Sequence, residues 1–280
     1  MNAYHRPRSL GEALAIRAAT GAIPLAGGTD VHPLRTARAA WGEPWTAPVL
    51  DLSALPELEG ITESAQGWRI GARTTWTAIA QAPLPPIFDG LRAAAIEVGG
   101  RQVQNRGTIA GNLVTASPAG DGIPNLLVLD AEVELAASAG TRRMAVAEFL
   151  TGYRATALAP GEIVTALHIP RWDGARGRFA KLGARRYLVI SIAMAAGVLR
   201  LDGARIAEAR IAVGACSPVA RRLPALEAAL RGVALADAAS VPQAAHLAPL
   251  TPIGDIRATA AYRQDAALAL LRDLLAGFTA

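Results

Sequence analysis

Six glycines and prolines fall among the asparagines, serines and threonines of residues 102–124, and this block limits the fold more than any other. Such residues interrupt regular ladders and hydrogen-bond their own backbone. The pattern predicts a long ordered loop with many backbone N–H groups turned outward, anchored by packed elements on both sides. Of the four asparagines in the chain, Asn105, Asn112 and Asn125 lie in or beside this block and only Asn2 does not. Rare amides gathered in one segment mark a binding loop rather than a plain surface connection.

The flanking sequence supplies the anchors. The capping box Ser9-Leu10-Gly11-Glu12, the apolar positions Ala13, Leu14 and Ala18, and Gly21 predict a short amphipathic helix. Ile23-Pro24-Leu25-Ala26 reads as a strand entering Gly27-Gly28. A loop rich in Pro and Trp then leads to a strand at 49–52. Further on, a strand at 68–72 and helices at 75–81 and 87–98 precede the polar block, and an apolar run at 126–129 follows it. Strands at 131–136 and 162–169 close a first domain, with a turn at Ala139-Gly140 between them. Residues 172–178 carry two glycines and mixed charge and predict a linker. Beyond it come strand-like runs at 179–182, 188–199 and 205–213, then helices at 223–230 and 258–275. Strands followed by helices predict a separate α+β domain.

Composition removes several chemistries. In 280 residues, 52% hydrophobic and 18% charged, there is enough apolar material for a packed core. The longest nearly apolar run, 188–199, carries Ser191 and falls short of the ~20 residues that cross a bilayer. The polar segment 1–9 lacks the apolar region of a secretion signal, so a cytoplasmic location is expected. Cys216 is the only cysteine, which excludes an internal disulfide, a four-cysteine iron–sulfur cluster and a cysteine zinc site. His5, His32, His168 and His246 show no metal-ligand spacing, so no metal site is expected. Redox chemistry here needs an organic cofactor. The net charge of +5 raises a nucleic-acid partner, but basic residues come singly or in the pairs Arg142/Arg143, Arg185/Arg186 and Arg221/Arg222, without a basic stripe. Of 28 basic residues only Lys181 is lysine. A compact ammonium kept where arginine is otherwise universal reads equally as a site that a planar guanidinium does not fit and as chance retention of a surface lysine, since many exposed positions accept either cation.

Two segments carry the candidate chemistry. Ala26-Gly27-Gly28-Thr29-Asp30 follows a strand and lets backbone amides approach an anion without a Cβ in the way. Its spacing matches neither the Rossmann fingerprint nor the Walker loop, and taken alone it reads more readily as a purely structural turn, since turn glycines are common. The segment from Gly107 to Asp121 combines glycines for close approach, hydroxyls and an amide for hydrogen bonding, and one acid able to grip a ribose hydroxyl or an exocyclic amine.

These two loops, followed by Gly152-Tyr153-Arg154, Glu162-Ile163-Val164, His168-Ile169-Pro170, Lys181, Glu227, Asp255-Ile256-Arg257 and Tyr262-Arg263, resemble the FAD-binding medium subunit of the molybdenum hydroxylases. That family includes xanthine dehydrogenase, CO dehydrogenase and related aldehyde and N-heterocycle oxidoreductases. The resemblance runs nearly end to end and is most specific in the two glycine loops. It implies an α+β chain: a two-subdomain FAD-binding fold of the vanillyl-alcohol-oxidase type over 1–172, divided near 1–55 and 56–172, and a small α+β C-terminal domain over 178–280. Carried over residue by residue, it implies that Pro24, Leu25, Ala26, Gly27, Gly28, Thr29, Asp30 and Val31 line the FAD pyrophosphate and ribityl chain. Thr108, Gly111, Asn112, Thr115, Gly120 and Asp121 would close over the diphosphate and adenosine side, and Ile163 or Val164 would give main-chain contacts near the adenine. Lys181 would tune the isoalloxazine.

The resemblance also implies partners: a small subunit with [2Fe-2S] clusters, a large molybdopterin-binding subunit, and an electron acceptor such as NAD or oxygen. The sequence departs from the family at Ala110, where a second glycine is common, and at Thr29-Asp30, where CO dehydrogenases typically have His-Ser. The latter argues against CO as the substrate. With Cys216 alone, the additional four-cysteine cluster of some medium subunits is excluded. Two other readings stay open at this level: a self-contained FAD-dependent oxidoreductase of the same fold, and a basic nucleic-acid-binding module.

Overall fold

The computed structural model describes residues 3–43 and 45–279. Met1, Asn2, Pro44 and Ala280 lie outside the described residues, and with them the outer ends of the two expected domains and one residue of the Pro- and Trp-rich loop. Strand β1 (Tyr4–His5) leads to helix α1 (Leu10–Thr20). Ser9 and Gly21 act as the sequence predicts, Ser9 Oγ accepting the Glu12 N–H at 3.2 Å and Gly21 ending the helix at φ 63°, whereas the return bond of the expected capping box is shifted, the Glu12 carboxylate accepting the N–H of Arg8 at 2.8 Å instead of that of Ser9. Strand β2 (Ile23–Leu25), helix α2 (Val31–Ala40) and strand β3 (Val49–Asp51) follow, and the three strands form a parallel sheet in the order β1-β3-β2. The expected loop before β3 therefore contains a helix. Pro33 sits in its first turn, where a missing N–H breaks no intrahelical bond, and the residues after it favour helix. No α2 residue is buried.

A second sheet is antiparallel, in the order β4-β5-β10-β6-β7. Its first pair is β4 (Ile61–Ser64) and β5 (Gly67–Gly71). Between β5 and the rest of the sheet the chain folds into α3 (Trp76–Gln81), α4 (Asp89–Glu97), α5 (Arg101–Arg106), α6 (Ile109–Thr115) and α7 (Gly122–Val128). The long loop expected at 102–124 is thus three short helices joined by tight turns. Thr108 caps α6, its Oγ1 accepting the Gly111 N–H at 3.1 Å, and Pro124 lies in the first turn of α7. The glycines and prolines punctuate helices here instead of excluding them. The apolar run 126–129 forms the second half of α7 and its end, and every residue of α7 is buried.

The sheet is completed by β6 (Glu132–Ala137), β7 (Gly140–Ala145) and, after the short helix α8 (Val146–Phe149) and the hairpin β8 (Leu150–Gly152) with β9 (Ala155–Thr156), by β10 (Ile163–Pro170). Trp68 and Phe88 meet edge to face, ring centroids 5.0 Å apart, in the core beneath it. A smaller core joins α1 to β3 and to Ala136 and Ile163 of this sheet.

Strand β11 (Ala175–Leu182) starts inside the segment read as a linker, which shortens the true connection to the turn before Ala175. It opens an antiparallel sheet with β12 (Ala193–Asp202), β13 (Arg205–Gly214) and β14 (Arg221–Arg222). Along β12, Ala193, Ala195 and Leu199 join the core under α10 (Ala260–Ala276), whereas Ala196 and Val198 join the core with α4 and α7. A strand buried on both faces has no polar side to show, which is why its sequence reads as one apolar run. Helix α9 (Pro224–Leu230) packs on β13. No helix among the described residues is long and apolar enough to cross a membrane.

Candidate cofactor site

The two glycine-bearing segments, some 80 residues apart in sequence, touch backbone to backbone. A Cβ on Gly27 would overlap the carbonyl oxygen of Arg106, with the Gly107 Cα next in line. Only glycine permits this approach. Gly28 plays a different part: its φ of +74° is a left-handed conformation, and a Cβ there would meet the His32 ring 2.6 Å away. Pro24 pairs with Leu50 and Leu25 is buried in β2; Ala26 to Asp30 make the turn, and Val31 opens α2. Asp30 is exposed and makes no side-chain cap bond.

The second segment encloses an unspent acceptor. Thr108 uses its hydroxyl on the α6 cap, and Thr115 ends that helix half-buried. Asn112 Oδ1 is buried without a hydrogen-bond partner, next to the backbone of Gly120 and Gly122, where Cβ atoms would stand 3.2 and 3.0 Å from it. A buried carbonyl oxygen without a donor costs about 1–3 kcal/mol, which a bound ligand with a polar hydrogen offsets. This orphan and the glycine contact fit a ligand held against the two loops. Where the second loop turns after α6, the backbone is strained: Ala116 is left-handed at φ 46°, and its carbonyl accepts the N–H of Arg154, itself left-handed at φ 50°. Such conformations persist only where neighbours impose them.

Asp121 and Lys181, which the sequence assigns to separate tasks, are partners. Lys181 Nζ donates to Asp121 Oδ2 at 2.6 Å and Ser191 Oγ donates to Oδ1 at 2.6 Å. The two charged side chains are 6% and 8% exposed, which makes this a buried pair. Burial pushes the Asp121 carboxyl above its ordinary range, opposed by the Lys181 ammonium and by the lysine and serine hydrogen bonds. Each carboxylate oxygen thus already has one donor and keeps a lone pair for another, so Asp121 holds Lys181 and retains acceptor capacity for the expected bond to a ribose hydroxyl. The ammonium also lies 3.5 Å from the Glu97 carbonyl and lines a cleft of about 330 Å³ with Arg185, Arg186 and Val189. No hydrogen bond or ion pair among the described residues joins Lys181 to the 24–31 turn.

Ile163 and Val164 lie at the seam between the small N-terminal core and the central one, paired with Ala136 and Leu135 of β6. Pairing of β10 with β5 begins only at Ala166, and Ile163 and Val164 are both buried. No cluster of three or more His, Cys, Asp or Glu side chains able to hold a metal occurs among the described residues. Cys216 is buried, and desolvation pushes its thiol up to about 11, an unreactive state. Sequence reasoning passed over Ser191 as a functional residue, although a lone hydroxyl inside the run 188–199 was the available signal. The backbone role of Arg106 had none.

Residues 1–172 match the family model described as FAD binding domain in molybdopterin dehydrogenase, and residues 178–277 match the CO dehydrogenase flavoprotein C-terminal domain. The chain belongs to the FAD-binding medium subunits of the molybdenum hydroxylases. Its cofactor is FAD, and it is a flavoprotein subunit of a multi-subunit oxidoreductase. The carbon monoxide dehydrogenase medium chain of Afipia carboxidovorans is 33% identical, over 96% of this chain and 93% of its own length. The nicotinate dehydrogenase FAD-subunit of Eubacterium barkeri is 36% identical over 72% of this chain and 70% of its own. Among solved structures, reconstituted CO dehydrogenase from Oligotropha carboxidovorans superposes with a TM-score of 0.88 at 29% identity, covering 98% of this flavoprotein and 96% of that chain. Quinoline 2-oxidoreductase from Pseudomonas putida 86 gives 0.87 at 28% identity, covering 98% and 95%.

Proposed function

We propose that this flavoprotein takes electrons from [2Fe-2S] clusters of a small partner subunit, themselves supplied by a molybdopterin-bearing large subunit, and delivers them to NAD, oxygen or another acceptor. The reading rests on family membership and on one observation above all, the backbone contact of Gly27 with Arg106 and Gly107, which brings the two glycine loops together. FAD, when bound, supplies a centre that accepts electrons singly or in pairs.

The residues of this chain bind, orient and shield. The amides of the 27–29 turn would face the pyrophosphate, and the Asn112 Oδ1 would accept a polar hydrogen of the cofactor, ending its isolation. Pro24 to Leu25, with Ala26, Asp30 and Val31 beyond them, would line the pyrophosphate and ribityl side; Thr108, Gly111, Thr115 and Gly120 would close the adenosine side. The main chain of Ile163 or Val164 would meet the adenine. Lys181 would supply positive charge toward the ring, attenuated by Asp121. The substrate pocket lies in the large subunit, so this chain offers no substrate acid or base. The domain divisions 1–172 and 178–280 and the cytoplasmic location belong to the same proposal.

The test is an absorption spectrum of the purified chain, alone and with proteins that co-purify. A flavin spectrum is expected, together with one partner containing two [2Fe-2S] clusters and one binding molybdopterin. Turnover of a small substrate by the isolated chain without any partner would overturn this reading in favour of a self-contained oxidoreductase.

A further inference from the structure

The segment Ala116–Asp121, between α6 and α7, is held from outside by the C-terminal sheet, and both holding points lead to one buried side chain. Ser191 grips Asp121, and the N–H of Ala215 donates to the Pro118 carbonyl at 2.9 Å. Ala215 is another left-handed non-glycine residue, at φ 61°. Arg263, on α10 and with a side chain only 4% exposed, donates through one nitrogen to the carbonyls of Ile192, at 2.6 Å, and of Ala215, at 2.9 Å. It therefore ties together the residue after Ser191 and the residue whose amide holds Pro118. Its second terminal nitrogen donates to Asp255 Oδ1 at 2.7 Å, while its Nε is buried without a partner.

A buried guanidinium with an unsatisfied N–H is costly, and apolar residues of similar volume commonly stabilise such positions as well or better. What the planar fork provides is geometry: several acceptors held at fixed relative positions, which a flexible ammonium does not reproduce. Asp255 in turn is fixed by the N–H groups of Arg257 and Ala258, at 2.8 and 3.3 Å, so the fork is aimed before it meets the carbonyls.

We propose that Arg263, aimed by Asp255, is a positioning residue for the cofactor site: it fixes the Ile192 and Ala215 strand ends that hold the Ala116–Asp121 segment in its strained, ligand-ready shape. The inference rests on the reading that this segment lies against FAD. The group reaches the flavin only through other residues, so its removal acts on the segment and then on the cofactor.

The test is amide hydrogen exchange on the full chain, first without FAD, in Arg263→Lys and Asp255→Asn. Exchange at 116–121 is expected to rise by about tenfold or more in Arg263→Lys, and by less in Asp255→Asn, while β5, β6 and β10 keep their protection. With FAD added, faster flavin release and an altered visible circular dichroism of the bound flavin are expected to follow in the same order. Should Arg263→Lys not fold, Asp255→Asn, which alters a partly exposed carboxylate, decides alone. Unchanged exchange at 116–121, or exchange raised uniformly through the sheets, overturns the positioning role. Locally raised exchange with unaltered flavin release and dichroism overturns the premise that the segment lies on FAD, and is told apart from the first failure by the FAD-free measurement.

Discussion

At the scale of single residues, Gly27 and Gly28 look alike in sequence and differ in what they do. A Cβ at Gly27 collides with backbone of another loop, which has nowhere to go; one at Gly28 meets the tip of His32, a side chain that can rotate, and suffers mainly from its positive φ, about 1–2 kcal/mol. Gly27→Ala is therefore expected to reduce FAD binding far more than Gly28→Ala, as read by flavin content and titration of the apoprotein. Equal losses would show that the contact between the loops does not shape the site. The buried Lys181–Asp121 pair makes a second prediction. Lys181→Met leaves a buried carboxylate unpaired, a loss of about 3–5 kcal/mol, whereas replacing both partners is often nearly neutral. The double variant Lys181→Met with Asp121→Asn is expected to unfold at higher denaturant than Lys181→Met alone. Because Asp121 sits 2.6 Å from the ammonium, the double variant should also leave the flavin potential close to that of the wild type, measured by redox titration.

At the scale of elements, α7 and α10 are the parts that join the cofactor segment to the C-terminal sheet. The hydrogen bonds that Arg257 N–H and Arg263 give to Asp255 hold its carboxyl well below the usual 3.8, at about 2. A carboxyl with a lowered folded value contributes stability that is complete above its unfolded value and is lost as pH falls through the folded one. The start of α10 is thus expected to lose protection between about pH 4 and pH 2, as followed by hydrogen exchange. Asp255→Asn should flatten that part of the profile while lowering protection at neutral pH. A profile unchanged by the substitution would mean that another carboxylate governs the acid transition. The opposite case is α2, which buries none of its residues and contributes correspondingly little to the core.

At the scale of the whole molecule, the three larger sheets among the described residues meet through shared helices, and the C-terminal sheet packs on α4 and α7 with one face and on α10 with the other. Charged and aromatic contacts reinforce the junction: Arg210 lies 3.7 Å over the Trp172 ring, and both Arg210 and Arg222 pair with Asp130. A ligand that binds only this assembled form raises its stability by mass action, about 2.7 kcal/mol at a hundredfold excess over the dissociation constant. FAD is expected to raise the melting temperature of the apoprotein progressively with concentration, and Gly27→Ala to abolish the rise. A melting temperature indifferent to FAD would contradict binding at the junction of the loops.

Local chemistry was enough to read α1 from its capping box, the strands around Gly27-Gly28, the absence of cysteine metal chemistry, and the singularity of Lys181. These follow from spacing of a few residues and from counts, both complete in the chain itself. The helices in 31–40 and 102–124 were missed because glycine and proline carry different meanings at a helix end and in a loop, and only the packing of neighbours decides which applies. The pairing of Asp121 with Lys181 and Ser191, the meeting of Gly27 with Arg106, and the grip of Arg263 on Ile192 and Ala215 join residues about 50 to 80 positions apart. No local rule specifies such contacts, because they form only when the sheets dock and the buried donors must find acceptors or remain unpaired.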